Sequence, residues 1–343
     1  MYVEKVAHRQ ITRQTPENDN GFEKQATQTR VVQSMKSCIV PTVAFLFVLL
    51  LTSCSRRFPP HFSVWKMTSS DRQIWKTFAE EAVQPTIFYF RSGAYTLRGW
   101  TIGADSLPVT LLLHGAPSSM VKFSALFRDS SVYNRTRLVA VDRPGYGKSH
   151  YGKAVVSIAQ QADIIAPLLK KLAENGPVVL CGSSYGGSVA AKLAMDHSEQ
   201  IRSLFLQSAS VQPNAERTPK IARWIHSPLG VVFPKWARVA TKEKYAHSRS
   251  LETIQDGWSR IKCPVWILHG NKDGLIYPSN ADHAYRQLAP HTAVTYVTLD
   301  SARHNIYWAQ RDTMRFFLRE ALECSGEGCA VYPWVEAAKN PNK

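Results

Sequence analysis

Short apolar runs alternate with longer helical patterns from residue 86 onward. Eight runs are typical of strands in length and composition: Thr86–Arg91, Leu97–Ile102, Val109–Leu113, Leu138–Val141, Val178–Cys181, Ser203–Gln207, Val265–Leu268 and Ala293–Leu299. Helical patterns separate the later runs at Ser157–Glu174, Gly187–His197, Asn280–Leu288 and Ile306–Glu323. Because alternating strands and helices favour parallel pairing, the pattern predicts an α/β fold with an eight-stranded, mostly parallel sheet flanked by helices.

One connection in this alternation is unusually long. Residues 208–262, after the sixth strand, exceed what a single crossover helix needs and carry several aromatic side chains among basic residues. They predict an inserted helical lid. The rest of the α/β domain is predicted at 85–207 and 263–324, with a C-terminal tail at 325–343.

The chain before residue 85 has a different organisation. Met35-Lys36-Ser37 precedes an apolar stretch, Cys38–Leu51, which is shorter than the ~18 residues of a membrane-spanning helix. The order of charged, apolar and small residues predicts a signal peptide at 35–53. Small residues before Cys54 resemble the lipidation motif of bacterial lipoproteins, which implies that Cys54 becomes a lipidated first residue. The alternative is an uncleaved signal anchor.

Both alternatives place the domain that begins near residue 85 outside the cytoplasm, anchored to the membrane of a bacterial cell envelope on its periplasmic side. Residues 1–34 are polar, and they are either an extension upstream of a true start at Met35 or a disordered cytoplasmic tail. Residues 54–84 are predicted to hold the lipidated cysteine, a tether and a leading helix at Ser70–Val83.

A glycine-flanked serine follows the fifth apolar run. Gly182-Ser183-Ser184-Tyr185-Gly186-Gly187 joins a predicted strand to a helix rich in small residues, which is the context of a nucleophile elbow. A tight turn of this kind exposes the serine Oγ to an imidazole that can take its proton. Ser184 is therefore the candidate nucleophile.

An acid and a base follow the last two predicted strands. Asp273 lies just beyond Val265–Leu268, and His304 lies in the loop after the eighth run. The chain order Ser184, Asp273, His304 is that of α/β-hydrolases and differs from the orders of chymotrypsin-like and subtilisin-like proteases. Asp300 and Asp282 are the competing candidates for the acid.

Two further loops complete a resemblance to a known family. His114-Gly115-Ala116-Pro117 follows the third run, and Asp142-Arg143-Pro144-Gly145-Tyr146-Gly147-Lys148-Ser149 follows the fourth. With the elbow, acid and base, they make residues 85–324 resemble the capped serine-hydrolase branch of the α/β-hydrolase superfamily, which includes esterases and lipases. The resemblance implies an α/β-hydrolase fold, with the lid over the active site. Trp224, His226 and Trp236 of the lid then either line a cleft or pack the lid onto the core.

The resemblance also implies an oxyanion hole and an activity. In this family the hole is formed by the N–H groups of the residue after the nucleophile and of the loop after the third strand, here Tyr185 and Ala116. Pro117 has no N–H group. The expected activity is cofactor-independent hydrolysis of a carboxylic ester or related acyl bond in a small-molecule substrate. The alternatives are a carbon–carbon bond hydrolase, an amidase, a perhydrolase or a non-catalytic envelope-binding lipoprotein.

Other notable side chains have structural interpretations. His114 and Asp142 are expected to fix their loops, and Cys181 and Cys263 are expected to be buried as small hydrophobes. Cys324 and the nearby Cys329 either form a local disulfide or remain free thiols.

Charge and ligand motifs narrow the range of partners. The 343-residue chain carries a formal net charge of +16, most of it after Cys54. In an exported protein this charge favours anionic membrane surfaces or anionic substrates over nucleic acid. The alternative is a generally basic surface with no specific partner. No residue cluster has metal-ligand spacing, and Gly145–Ser149 lacks the spacer of a phosphate-binding loop. We therefore expect no metal and no cofactor, and the sequence leaves the oligomeric state open.

Overall fold

The computed structural model describes residues 69–306, 311–323 and 335–336. Within them nine strands form one sheet in the order β1-β2-β4-β3-β5-β6-β7-β8-β9. The strands are β1 Thr86–Ser92, β2 Tyr95–Ile102, β3 Val109–Leu113, β4 Arg137–Val141, β5 Val178–Ser183, β6 Ile201–Gln207, β7 Val265–Gly270, β8 Val294–Leu299 and β9 Val335–Glu336. Only the pairs β1–β2 and β2–β4 are antiparallel. The predicted eight-stranded, mostly parallel sheet is confirmed, and the two-residue β9 extends it at one edge.

Nine α-helices accompany the strands in the described part of the chain. They are α1 Asp71–Thr77, α2 Ser124–Phe127, α3 Ser130–Tyr133, α4 Ile158–Leu172, α5 Tyr185–Asp196, α6 Ile221–His226, α7 Lys235–Glu252, α8 Ser279–Leu288 and α9 Arg311–Glu323. Short 3₁₀ helices lie at Met120–Phe123, Ala173–Asn175, Ser198–Gln200, Pro228–Val232 and Gln255–Arg260. None of the described helices is both long and apolar enough to cross a membrane.

The core lies on both faces of the sheet, which explains why the central strands are continuous apolar runs rather than alternating ones. In β5, Val178 and Leu180 pack into one cluster with α4, α5 and α8, whereas Val179 and Cys181 pack into the cluster on the opposite face. Cys181 and Cys263 are both buried, as the sequence predicts, and burial raises the pKa of the Cys263 thiol to about 12.

The leading helix is shorter than predicted. Ser70 caps α1 through a reciprocal pair of hydrogen bonds with Gln73, but the helix ends at Thr77 instead of Val83. It ends there because Phe78 is fully buried and packs edge-on against Trp100, with 5.3 Å between ring centroids. Val83, the last residue of the predicted helix, is exposed.

The carboxyl ends of β3 to β8 meet at one edge of the sheet, where ligands usually bind in α/β proteins. Residues 208–262, called the cap below, connect β6 to β7 and contain α6 and α7. The predicted tail at 1–34, the signal peptide at 35–53, Cys54, Cys324 and Cys329 lie outside the described residues.

Candidate active site

Ser184 occupies a sharp turn between β5 and α5. Its backbone dihedrals, φ 53° and ψ −124°, are strained for a residue with a side chain. The turn is held on both sides, because the Ser184 N–H donates to the Gln207 carbonyl at 3.0 Å while its own carbonyl accepts from Gly187 and Ser210. The prediction of a strand, tight turn and helix around Ser184 agrees with this geometry.

The glycines of the turn are required by the closeness of neighbouring backbone. A Cβ added to Gly186 would lie 2.3 Å from the Leu113 carbonyl oxygen, and one added to Gly182 would lie 2.5 Å from the Gly186 oxygen. A Cβ added to Gly115 would lie 3.3 Å from the Ser184 Oγ. Ser184 is therefore directly beside the loop that follows β3.

Asp273 and His304 are brought together from loops 31 residues apart in sequence. The Nδ1 of His304 is 2.7 Å from Oδ2 of Asp273. The other carboxylate oxygen of Asp273 accepts from the N–H groups of Leu275 and Ile276, at 2.9 and 3.0 Å. Because a carboxylate only accepts, His304 donates from Nδ1 and its Nε2 carries the lone pair. This is the tautomer of a general base.

The two competing acids have other partners. Asp300 accepts a hydrogen bond from Asn271 at 2.8 Å, and Asp282 accepts one from the Tyr296 hydroxyl at 2.9 Å. Of the three candidates, Asp273 is the one hydrogen-bonded to His304 in the described structure.

The electrostatics of this pair favour an ionised acid and a neutral base. Burial opposes ionisation of Asp273, but its hydrogen bonds with His269 and His304 outweigh it and hold its pKa well below the ordinary value. Burial lowers the pKa of His304, and the nearby Lys122 cation acts in the same direction against the pull of Asp273. The imidazole is thus neutral at pH 7 and able to accept a proton.

Ser184 is not hydrogen-bonded to His304 among the described residues, so the pairing of nucleophile and base belongs to the proposal below. The serine beside it is tightly held: the Ser183 hydroxyl accepts from Lys122 Nζ at 2.7 Å and donates to Gln207 at 2.7 Å. This polar chain connects the end of β5 with the end of β6 and places a cation next to the predicted site.

The peptide between Gly115 and Ala116 is oriented by two donors. His114 Nε2 accepts from the Arg143 N–H at 2.9 Å, which leaves the proton on Nδ1 to donate to the Gly115 carbonyl at 2.7 Å. A guanidinium nitrogen of Arg143 donates to the same carbonyl at 3.2 Å. Because the carbonyl and N–H of one trans peptide point in opposite directions, these bonds fix where the Ala116 N–H points.

His114 and Asp142 have the loop-fixing contacts that the sequence predicts. Burial lowers the pKa of His114 far below its ordinary value, so it remains neutral. Asp142 accepts hydrogen bonds from the Arg98 side chain and from the Met120 and Lys148 N–H groups. Neither side chain needs a role in proton transfer.

The Arg143 side chain connects this loop to the cap. It is fully buried and pairs with the fully buried Glu243 on α7, at 3.0 Å. Gln161 and the Tyr146 hydroxyl also donate to Glu243, which satisfies the carboxylate inside the protein. The guanidinium lies 4.5 Å above the centre of the Tyr185 ring, on the residue after the candidate nucleophile.

Tyr185 begins α5, so its N–H has no partner within that helix and is available to an oxyanion. Its ring packs against His247 of α7 with 4.6 Å between centroids. Helix α7 therefore contacts both residues predicted as oxyanion donors. It packs directly on the Tyr185 ring, and it reaches the Gly115–Ala116 peptide through Arg143.

The three aromatic residues predicted for the lid lie in different surroundings. Trp224 is largely exposed, the exposed His226 stacks on Tyr245 at 4.3 Å, and Trp236 is partly buried. That they line a substrate cleft remains a prediction. In the described residues no group of three or more His, Cys, Asp or Glu side chains is arranged to hold a metal ion.

Four residues of the site were not singled out from the sequence: Lys122, Arg143, Glu243 and His269. His269 is the penultimate residue of β7. Its Nε2 lies 3.4 Å from Asp273 Oδ2 and 3.1 Å from the Ile276 carbonyl oxygen. Arg143 was visible as part of the loop after β4, but no local pattern connects it with Glu243, which is 100 residues away.

Comparison with known proteins finds similarity first in sequence. A curated relative, the pimeloyl-[acyl-carrier protein] methyl ester esterase of Neisseria meningitidis, is 23% identical over 219 residues, which cover 54% of this chain and 81% of the relative.

Two solved structures are similar in fold. The 2-hydroxy-6-oxo-6-phenylhexa-2,4-dienoate hydrolase of Rhodococcus sp. strain RHA1 has a TM-score of 0.58 at 18% identity, over 71% of this chain and 100% of that one. The enol-lactonase of Burkholderia xenovorans LB400 has a TM-score of 0.54 at 17% identity, over 69% and 100%.

The family itself is established by its own match. Residues 110–318, more than half of the chain, match the alpha/beta hydrolase family. The match spans β3 to α9 and therefore includes Ser184, Asp273, His304 and the entire cap. The chain belongs to the alpha/beta hydrolase family, and it is a hydrolase.

Proposed function

We propose that this hydrolase cleaves a carboxylic ester or related acyl bond with Ser184 as nucleophile, His304 as general base and Asp273 as the orienting acid. The observation that carries the proposal is the 2.7 Å hydrogen bond between His304 and Asp273, at the same sheet edge as the strained turn of Ser184. Acyl transfer requires a serine hydroxyl and a neutral imidazole, and both groups lie at this sheet edge.

In the first half-reaction, His304 Nε2 takes the Ser184 proton as Oγ attacks the acyl carbon. The carbonyl π-bond breaks, and its electron pair becomes the oxyanion. When the tetrahedral intermediate collapses, the bond to the leaving oxygen breaks and the imidazolium returns its proton to that oxygen. Asp273 stays ionised throughout and stabilises the imidazolium, as its low pKa allows.

The N–H groups of Tyr185 and Ala116 receive the oxyanion. Two donors on the Gly115 carbonyl support this role, since they orient the peptide and polarise its N–H group. In the second half-reaction His304 takes a proton from water as the water oxygen attacks the acyl carbon. The bond from the acyl carbon to Ser184 Oγ then breaks, the imidazolium returns its proton to Oγ, and the carboxylic acid leaves.

A carboxylic ester is the favoured substrate class. The curated relative is by name a methyl ester esterase, and the histidine and oxyanion donors proposed here suit an oxygen leaving group that needs one proton. An acyl-enzyme at Ser184 requires no metal or redox partner.

A fluorophosphonate probe tests the nucleophile directly. We expect the full-length protein in detergent to be labelled at Ser184, located by peptide mass spectrometry, and Ser184→Ala to lose both labelling and ester turnover while remaining folded by circular dichroism. Ser183→Ala is the matched control, because its hydroxyl is one residue away and engaged with Lys122 and Gln207. Labelling that persists in Ser184→Ala would show that Ser184 is not the nucleophile.

For location, we propose export and anchoring at the bacterial envelope through lipidated Cys54, on the strength of the signal-like residues 35–53. Intact-mass measurement of membrane-extracted protein should give a chain that begins at a diacylated Cys54, and Cys54→Ser should stop this processing. A mature chain that still contains residues 35–53 would indicate the signal anchor instead.

A further inference from the structure

A cluster of large apolar side chains on the cap faces solvent. Ile221, Trp224, Leu229, Val231 and Val232, called the apolar patch below, are between 47% and 73% exposed. They lie within twelve residues of sequence, on α6 and the 3₁₀ helix that follows it. So many exposed large hydrophobic side chains in one place are unusual for a surface that faces only water.

The backbone beneath the patch is well held, so the side chains are presented outward by ordered structure. Ala222 and Gly230 are buried, and the Gly230 N–H donates to the Ser227 carbonyl at 2.8 Å. Gly230 packs so closely on Ile225 that an added Cβ would overlap its carbonyl oxygen. The segment is thus folded against the cap while its large apolar groups remain outside.

Basic residues surround the patch in sequence. From residue 217 to 242 the chain has six lysines or arginines and no aspartate or glutamate, within a cap that is otherwise of mixed charge. Five of the six are exposed: Arg217, Lys220, Arg223, Lys235 and Lys242. None of these five pairs with a carboxylate in the described structure, so their charge is available to an external partner.

We propose that the apolar patch inserts into the interface of an anionic lipid bilayer, with these five cations against the lipid headgroups. Exposed apolar side chains that include an indole, within twelve residues of sequence and flanked in sequence by unpaired cations, match the chemistry of a membrane–water interface. A second protein copy fits less well, because its patch would bring an equally cationic border to the same contact. The membrane-facing surface would then be the cap.

The position of Trp224 in a bilayer tests this orientation even if another part of the chain is anchored. Full-length protein is mixed with vesicles of equimolar phosphatidylglycerol and phosphatidylcholine whose acyl chains are brominated. The emission of Trp224 is obtained as wild type minus Trp224→Phe, and that of Trp75 as wild type minus Trp75→Phe. Trp75 is the matched control, since it is exposed on α1, outside the cap.

We expect a blue shift and roughly twofold or stronger quenching for Trp224, with Trp75 unchanged. Val231→Asp with Val232→Asp should abolish the quenching, and Lys220→Gln with Arg223→Gln should weaken it. Vesicles of phosphatidylcholine alone should quench Trp224 much less.

Three results would overturn the proposal: an unquenched Trp224 in anionic vesicles, equal quenching of Trp224 and Trp75, or equal quenching in anionic and neutral vesicles. A concentration-dependent dimer that Trp224→Ser dissolves would assign the patch to a second copy instead. The inference does not depend on the proposed triad. Hydrolysis of a soluble short-chain nitrophenyl ester should be unchanged in the Val231→Asp, Val232→Asp variant, so failure of either proposal is separately visible.

Discussion

At the scale of single residues, the contacts of Asp273 determine what His304 can do. The carboxylate is buried, and every contact it makes in the described structure is with a donor: two backbone N–H groups and two imidazoles. Since no acceptor competes, the carboxylate stays ionised and His304 is held in one tautomer. In the proposed mechanism, the role of Asp273 is therefore one of orientation and charge rather than proton transfer.

Replacing the Asp273 carboxylate by an amide should impair catalysis while the protein stays folded. We expect Asp273→Asn to lower kcat by about 10³ to 10⁴, because an amide NH₂ facing Nδ1 favours the tautomer with its proton on Nε2. Steady-state hydrolysis of a nitrophenyl ester measures the effect. Asp300→Asn, which changes a carboxylate bonded to Asn271, is the control and should stay within about twofold of wild type. If Asp300→Asn were the inactive variant, the assignment of the acid would be wrong.

Lys122 should contribute to the position of the acid limb of the pH profile, after burial and Asp273. The base works only when neutral, so activity should rise with pH through a pKa that lies below the ordinary histidine value. Removing the nearby cation in Lys122→Met removes a group that opposes protonation of His304. The limb in kcat/KM should therefore move to higher pH.

Lys192→Met is the control for this shift, because Lys192 pairs with Asp196 on α5. Burial lowers the pKa of Lys122 to about 8, so the cation is still largely present where His304 titrates. An acid limb that moves to lower pH, or does not move, would contradict this account.

At the scale of elements, α7 is connected to the candidate active site through one buried ion pair. Glu243 holds Arg143, and Arg143 donates to both the His114 and Gly115 carbonyls of the loop after β3. Removing one member of a fully buried pair leaves the other charge without compensation, which costs more than the pair itself contributes.

Glu243→Gln should lower the free energy of unfolding by about 3–5 kcal/mol and also reduce kcat, because the Gly115–Ala116 peptide loses part of its support. Urea unfolding and ester kinetics measure the two effects. Glu252→Gln is the matched control on the same helix, since Glu252 is exposed and bonded only to Ser248 in the described structure. It should change the unfolding energy by less than about 0.5 kcal/mol. Equal stability of the two variants would contradict the role of the pair.

The approach of α5 to β3 gives a second prediction at this scale. Gly186→Ala places a methyl group 2.3 Å from the Leu113 carbonyl oxygen, so the helix must move away from the strand and carry Ser184 with it. We expect a loss of about 3 kcal/mol in unfolding free energy, measured by urea denaturation, together with reduced turnover. Gly274→Ala, where an added Cβ meets nothing within 4 Å, should cost less than about 1 kcal/mol. Similar losses in both variants would exclude the steric explanation.

At the scale of the whole molecule, the sequence predicts the parts that depend on local pattern. The eight strands follow from apolar runs, because a sheet buried on both faces needs no polar alternation. Ser184, Asp273 and His304 each follow a strand, so their meeting at one edge follows from parallel order. The end of α1 and the pairing of Arg143 with Glu243 could not be predicted, since both depend on contacts between distant segments.

The buried pair of Arg143 and Glu243 also limits which segments of the cap can be exchanged for other sequences. Helix α7 supports the loop after β3, whereas α6 and residues 228–232 present their large side chains to solvent. A homologous segment exchanged at 217–232 would leave the pair of Arg143 and Glu243 in place, but one that replaced 235–252 would have to restore a carboxylate at position 243. New specificities or new target surfaces are therefore most accessible, to natural selection and to protein engineers alike, through the outer arm of the cap.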